Sequence, residues 1–325
     1  MDELIAVVGM HRSGTSLTAH LVHELGVSAL GSRASLVVAD EFNSRGYWES
    51  ADMVMVNTYL CNFLGCDWRH PVVPPEGWHL SHRLDRLRSR LRRLFAATPS
   101  GARSIKDPRM TLTLPFWQTL VPKTAVLVCL RSPPSVAHSL NRRERMAADW
   151  ALGLWAVNTA LAVHNARALR HLFVVYEDLL ADPAGEATRL ADFVGADVSR
   201  AEEAARRVVS PDLSHSKAVL DDGTACREAG PEGEAAARLW QAALAARAAA
   251  WNVDAVTALQ QAAEAELRRP ALAPPPIAYQ RRHRMRFLVK SLRLAASIGG
   301  EAHPVVLPSG RTLGPLRRID RPEDY

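Results

Sequence analysis

The sequence predicts an α/β fold: a central parallel sheet in a three-layer arrangement, flanked by helices, with a helical extension on its C-terminal side. Three observations carry that prediction. An apolar run, Leu4 to Val8, ends at Gly9, and beyond Gly14 a helical pattern places Leu17, Leu21 and Leu25 on one face. Two later runs, AVLVCL (Ala125–Leu130) and HLFVVY (His171–Tyr176), are continuously apolar, as strands buried on both faces are. Segments of helical periodicity separate these runs, which implies parallel strands joined by helices.

Taken in order, the first strand ends in the loop GMHRSGTS, which leads into the first helix. Residues 81–97 set Leu84, Leu87, Leu91, Leu94 and Phe95 at helical spacing among arginines. No aromatic side chains interleave those arginines, so the segment reads as a surface helix and no nucleic-acid partner is expected. The stretch Ser104–Ile105–Lys106 is a short strand running into KDPR, and AVLVCL is the best second buried strand. Residues 1–230 are assigned to the α/β domain and 231–269, rich in Ala, Glu and Arg, to its helical continuation. After PALAPPP (270–276), residues 277–325 form a basic helix and an irregular tail.

Composition narrows the function classes. A chain of 325 residues, 48% hydrophobic, can bury a large core. Its net charge of +6 suits anionic ligands or surfaces. Cys61, Cys66, Cys129 and Cys226 lack metal-ligand spacing and read as reduced, buried thiols of a cytoplasmic protein. No signal peptide or membrane span is expected. Residues 279–298 hold five Arg, one Lys and no acid, a pattern that suits either peripheral contact with an anionic membrane or docking on the protein's own core or a second subunit, as in a homodimer.

The loop between Gly9 and Gly14 has the form of a phosphate-binding turn, in which backbone N–H groups and a helix N-terminus surround an anion. The glycines allow the backbone to come close to it. Nucleotide-triphosphate loops add a lysine before the Ser/Thr and an Asp after a second strand to hold a metal. Here Thr15 stands in the lysine position, the nearest cation is Arg12, and the second strand ends at Arg131. A cation at that strand end suits a second anionic group and repels a metal, so a ligand with two separate anionic ends is expected and no metal.

These residues resemble the sulfotransferases that use 3′-phosphoadenosine 5′-phosphosulfate. That family's R-S-G-T-[ST] loop is matched by Arg12, Ser13, Gly14, Thr15 and Ser16, and its Arg and Ser eight residues apart by Arg131 and Ser139 in LRSPPSVAHS. RGYWES (Arg45–Ser50), KDPR (Lys106–Arg109) and VVYEDLLADP resemble the bacterial branch, and the resemblance covers roughly residues 4–200. It implies a P-loop-like fold and a donor whose 5′-phosphosulfate lies in the loop and whose 3′-phosphate meets Arg131 and Ser139, leaving adenosine 3′,5′-bisphosphate as product. The acceptor would be a hydroxyl of a glycan, a glycolipid or a specialised metabolite.

Sulfuryl transfer is an in-line displacement helped by positioning and by positive charge, for which Arg12 and Lys106 are the candidates. The acceptor hydroxyl needs a base. Glu49 leads, because it stands beside Trp48, whose bulk would raise the carboxylate's pKa, and because related glycan and peptide sulfotransferases use a glutamate in this part of the chain. Asp107, between Lys106 and Arg109, is the next candidate, although neighbouring cations suit a structural carboxylate better. Glu41 follows. His11 reads as a loop filler, and His20 and His23 as part of the first helix. Trp48 and Tyr47 divide between packing and an acceptor wall. The rival readings are a small-molecule P-loop kinase and a nucleotide-binding scaffold with a degenerate loop.

Overall fold

The computed structural model describes residues 2–31, 46–209 and 223–269, together with two-residue strands at 305–306 and 312–313. Glu41, Arg45 and the basic segment 279–298 lie outside the described residues. Four parallel strands form the sheet: β1 (Glu3–Val8), β2 (Ala102–Lys106), β3 (Thr124–Leu130) and β4 (Arg170–Val175), in the order β2-β1-β3-β4. The register pairs Val7 with Lys106, Val8 with Val128 and Leu130 with Val175, so all four strands end along one edge. In open parallel sheets that carboxyl edge is where ligands bind.

The strand alternation explains the layers. Ile5, Val7, Ala125 and Leu127 face one side, against α1 (Thr15–Glu24), α8 (Pro183–Val194) and α9 (Ala201–Val208). Leu4, Ala6, Val8, Val126 and Val128 face the other. There they meet α2 (Ala51–Phe63), α3 (Asp85–Ala96), α4 (Met110–Gln118), α5 (Pro133–Glu144) and α6 (Ala148–Ala166). Helices therefore cover both faces, as continuous apolar strands require. A short helix α7 (Tyr176–Ala181) follows β4 directly.

Two details differ from the periodicity. Leu94 of α3 is 44% exposed, whereas Leu84, Leu87, Leu91 and Phe95 are buried. The stretch from 234 to 269 is two helices, α10 (Gly230–Ala248) and α11 (Val253–Leu267), and both pack on α6. The break is built by Ala250 (φ 49°) and Trp251 (φ 57°), with Asn252 accepting from the Ala255 N–H at 2.9 Å as a helix cap. Trp251 turns inward and stacks on Phe173 with ring centroids 4.6 Å apart. An alanine-rich composition conceals such a break, because helix propensity is high on both sides of it.

All four cysteines are buried. Among the described residues no helix is long and apolar enough to cross a membrane.

Candidate functional site

The loop after β1 closes against the neighbouring strand ends. A Cβ on Gly9 would lie 2.5 Å from the Cys129 carbonyl oxygen, and one on Gly14 (φ 83°) would lie 2.6 Å from Cδ2 of Tyr176. These glycines let the loop seat on β3 and on the first residue of α7. That is a packing reason beyond the anion-approach reason the sequence suggests. Ser13 and Thr15 are buried, the Ser13 N–H bonds the Met10 carbonyl at 3.1 Å, and the Thr18 N–H bonds the Gly14 carbonyl at 3.0 Å.

Arg12 takes a left-handed backbone (φ 72°), and its Nε donates to Ser139 Oγ at 2.8 Å. Arg131 reaches back, and its Nη1 donates to the Arg12 carbonyl at 3.0 Å. Its guanidinium lies 4.2 Å from the centroid of the Tyr176 ring, and its own carbonyl accepts from Trp155 Nε1 at 3.0 Å. Arg131 Nε is buried with no hydrogen-bond partner among the described residues. The structure thus brings Arg12, Arg131 and Ser139 together, although Ser139 is 127 positions from Arg12. Burial lowers the Arg12 pKa, and the nearby Arg143 and Arg131 cations lower it further.

A second group sits at the end of β2. Lys106 and Glu49, 4% and 8% exposed, form a close ion pair. Burial raises the Glu49 pKa; Lys106 opposes that shift and Asp107 adds to it. Asp107 is fully buried, with Oδ1 accepting from the Arg109 N–H (2.9 Å) and Nη1 (3.0 Å) and Oδ2 accepting from Asn57 Nδ2 (3.0 Å). Burial alone would lower the Arg109 pKa, but Asp107 and Glu49 outweigh it and hold the guanidinium charged. Tyr47 lies over this group, its ring centroid 5.9 Å from Lys106 Nζ and 5.5 Å from the Arg143 guanidinium. Its carbonyl accepts from Ser16 Oγ at 3.3 Å.

Trp48 goes elsewhere: its ring stacks on His20 of α1 at 4.2 Å and meets His23 at 4.9 Å, so it packs on a helix instead of lining the Lys106 group. His11, within the loop, meets Trp68 with ring centroids 4.5 Å apart, and its buried Nε2 has no hydrogen-bond partner among the described residues. Burial, then Arg109, Lys106, Arg143 and Arg12, depress its pKa well below the ordinary value. Below about pH 6.5 an unfolded imidazole takes up a proton that folded His11 refuses, so His11 withdraws stability only as pH falls through that range. His11→Gln should therefore flatten the acid loss of stability by up to about 1.4 kcal/mol per pH unit, read from melts of both proteins between about pH 7.5 and about pH 5.5.

Sequence reasoning missed Asn57, Tyr176 and Arg143. Asn57 is fully buried; besides bonding Asp107, it accepts through Oδ1 from Thr113 Oγ1 at 2.7 Å and Trp117 Nε1 at 2.8 Å. A lone Asn in a helical pattern carries no signal for that. Tyr176 did carry one, because it directly follows a buried strand beside the strand that ends at Arg131.

A parallel sheet with helices on both faces, a glycine-bounded loop between β1 and α1, and Lys106 and Arg131 at the ends of the strands on either side of β1 define a P-loop-like α/β protein. The sequence profile of the sulfotransferase family matches residues 5–200, and the chain belongs to that family; it is a sulfotransferase. Among solved structures, the sulfotransferase domain of the Synechococcus PCC 7002 olefin synthase is 18% identical, covering 80% of this chain and 94% of that one, with a TM-score of 0.40. Sulfotransferase STF1 of Mycobacterium tuberculosis H37Rv is 15% identical over 63% of this chain and 71% of that one, with a TM-score of 0.39. Retinol dehydratase, solved with androsterone and the inactive cofactor PAP, is 17% identical over 84% and 82%, with a TM-score of 0.34. No curated protein matches the sequence.

Proposed function

We propose that the chain transfers the sulfuryl group of 3′-phosphoadenosine 5′-phosphosulfate to a hydroxyl of a glycan, glycolipid or specialised metabolite, without a metal. The observation that carries this reading is the physical link between the loop and the end of β3. Arg12 bonds Ser139, and Arg131 bonds the Arg12 carbonyl. A cation in the loop after β1 and another at the end of the adjacent β3 fit a donor that is anionic at both ends. The buried, unpartnered Nε of Arg131 supports the fit, because a desolvated guanidinium N–H without an acceptor is costly and is met by a ligand oxygen.

When bound, the donor supplies the sulfuryl group and a good phosphate leaving group. The residues that would hold it are the loop amides, Ser13, Gly14, Thr15, Ser16 and Arg12 at one end and Arg131 with Ser139 at the other. Lys106 supplies positive charge at the carboxyl edge of β2, where the equatorial oxygens need it. Glu49 takes the acceptor's proton through the carboxylate that burial has made more basic. Asp107 is assigned to positioning, since Arg109 and Asn57 engage both of its oxygens. No carboxylate follows β3 where a P-loop kinase would hold its metal; Arg131 stands there.

Thermal melts separate the readings. Adenosine 3′,5′-bisphosphate should raise the melting temperature and ATP with Mg²⁺ should not. A shift with ATP–Mg²⁺ alone would favour a kinase, and no shift with either would favour a scaffold.

A further inference from the structure

The segment Gly46–Ser50 crosses α1, and its three central side chains divide. Tyr47 and Glu49 meet Lys106, whereas Trp48 between them meets the helix. The division has a backbone cause. Trp48 is held at φ 55°, in the left-handed region that a bulky residue occupies only when its surroundings impose it. What imposes it is visible on α1. His20 and His23, one turn apart on the same face, bracket the indole, the first nearly parallel to it at 19° and the second tilted at 42°. The bond from Ser16 Oγ to the Tyr47 carbonyl pins the same segment one residue earlier, to the first turn of the helix that carries the loop.

We propose that Trp48 is a positioning residue: clamped on His20 and His23, it fixes the segment so that Glu49 is buried against Lys106. The inference rests on the reading of Glu49 as the base. It adds that the base is located by an anchor on the α1 side of the segment. Because α1 also carries the loop, base and loop are registered on one rigid element. Loosening the clamp would free Glu49 and uncover Lys106 while the loop itself stays folded.

The chain's composition offers a test that needs no acceptor. It has four lysines, of which Lys106 is 4% exposed and Lys123 has a side chain 71% exposed. Limited acetylation with acetic anhydride, followed by peptide mass spectrometry, reads the rate at each. Trp48→Ala should speed acetylation of Lys106 by about tenfold or more through local opening, leaving Lys123 unchanged. Affinity for adenosine 3′,5′-bisphosphate should also hold. Trp48→Phe, which keeps a ring for the histidines, should restore slow labelling. His20→Ala together with His23→Ala should reproduce the Trp48→Ala result from the helix side, and it serves as the decisive variant if Trp48→Ala does not fold. Slow Lys106 labelling in both the Ala and the paired His variants would overturn the clamp, as would a Phe variant that labels as fast as Ala. Turnover of Glu49→Gln judges the base separately: full activity there removes the base assignment, while the labelling still decides whether Trp48 holds the segment.

Discussion

Glu49→Gln is expected to lower turnover by about a hundredfold or more while adenosine 3′,5′-bisphosphate binds as before. The measurement is transfer from sulfur-labelled donor to acceptors in an extract of the producing cells, beside a binding titration of the bisphosphate. Glutamine keeps the size and a hydrogen-bonding oxygen but cannot take the acceptor's proton. Glu49 suits the role on two counts. It lies at the carboxyl edge of the sheet beside Lys106, and burial makes its carboxylate hold a proton more readily than an exposed one. Asp107 has different surroundings, with both oxygens engaged, Oδ1 by Arg109 and Oδ2 by Asn57. Leaving Lys106 without its carboxylate partner has a stability cost of its own, so the melting temperature is read in parallel. Turnover within a few fold of wild type would dismiss Glu49, and Asp107→Asn would then be the variant to measure.

How far the sequence reached depended on how local each signal is. The β1 strand, the loop and the first helix were legible because a strand, two glycines and a 3.6-residue period all fall within about 20 residues. AVLVCL was legible because a strand buried on both faces has nowhere to place a polar residue, whereas HLFVVY proved an edge strand buried only over Phe173–Val175, with Tyr176 opening α7. The joining of Arg12 to Ser139 was not legible from spacing, since it depends on β3 lying beside β1 in the order β2-β1-β3-β4. The environment of Glu49 was half legible. Burial does raise its pKa, but the sequence assigned that effect to Trp48, whereas the Trp48 ring lies on α1 and the nearest charges are Lys106 and Asp107. Adjacent side chains part company when one of them takes a left-handed backbone, as Trp48 does. Asn57 was invisible for a related reason: its partners Asp107, Thr113 and Trp117 come from a segment some 50 residues later.

Arg131→Ala should weaken adenosine 3′,5′-bisphosphate by tenfold or more and adenosine 5′-phosphosulfate, which lacks the 3′-phosphate, much less. A charge-assisted contact is worth about 1.5–3 kcal/mol, and about 1.4 kcal/mol is a factor of ten in affinity. The comparison of ligands matters because Arg131 does two things. Its Nη1 also holds the Arg12 carbonyl at 3.0 Å, so removing it loosens the loop and lowers affinity for both compounds by a common factor. Only the contact to the 3′-phosphate distinguishes them, and the ratio of the two losses isolates it. The backbone at this position should survive the change, since Trp155 Nε1 bonds the Arg131 carbonyl and Ser132 N–H is held by Glu177 Oε1 at 3.1 Å. Ser139→Ala provides the second reading. It removes the oxygen that receives Arg12 Nε and should produce the same ligand preference with a smaller amplitude, because a neutral hydroxyl contributes less than a guanidinium. Equal losses for the two ligands in Arg131→Ala would move the 3′-phosphate away from β3 and leave Arg131 as a brace for the loop.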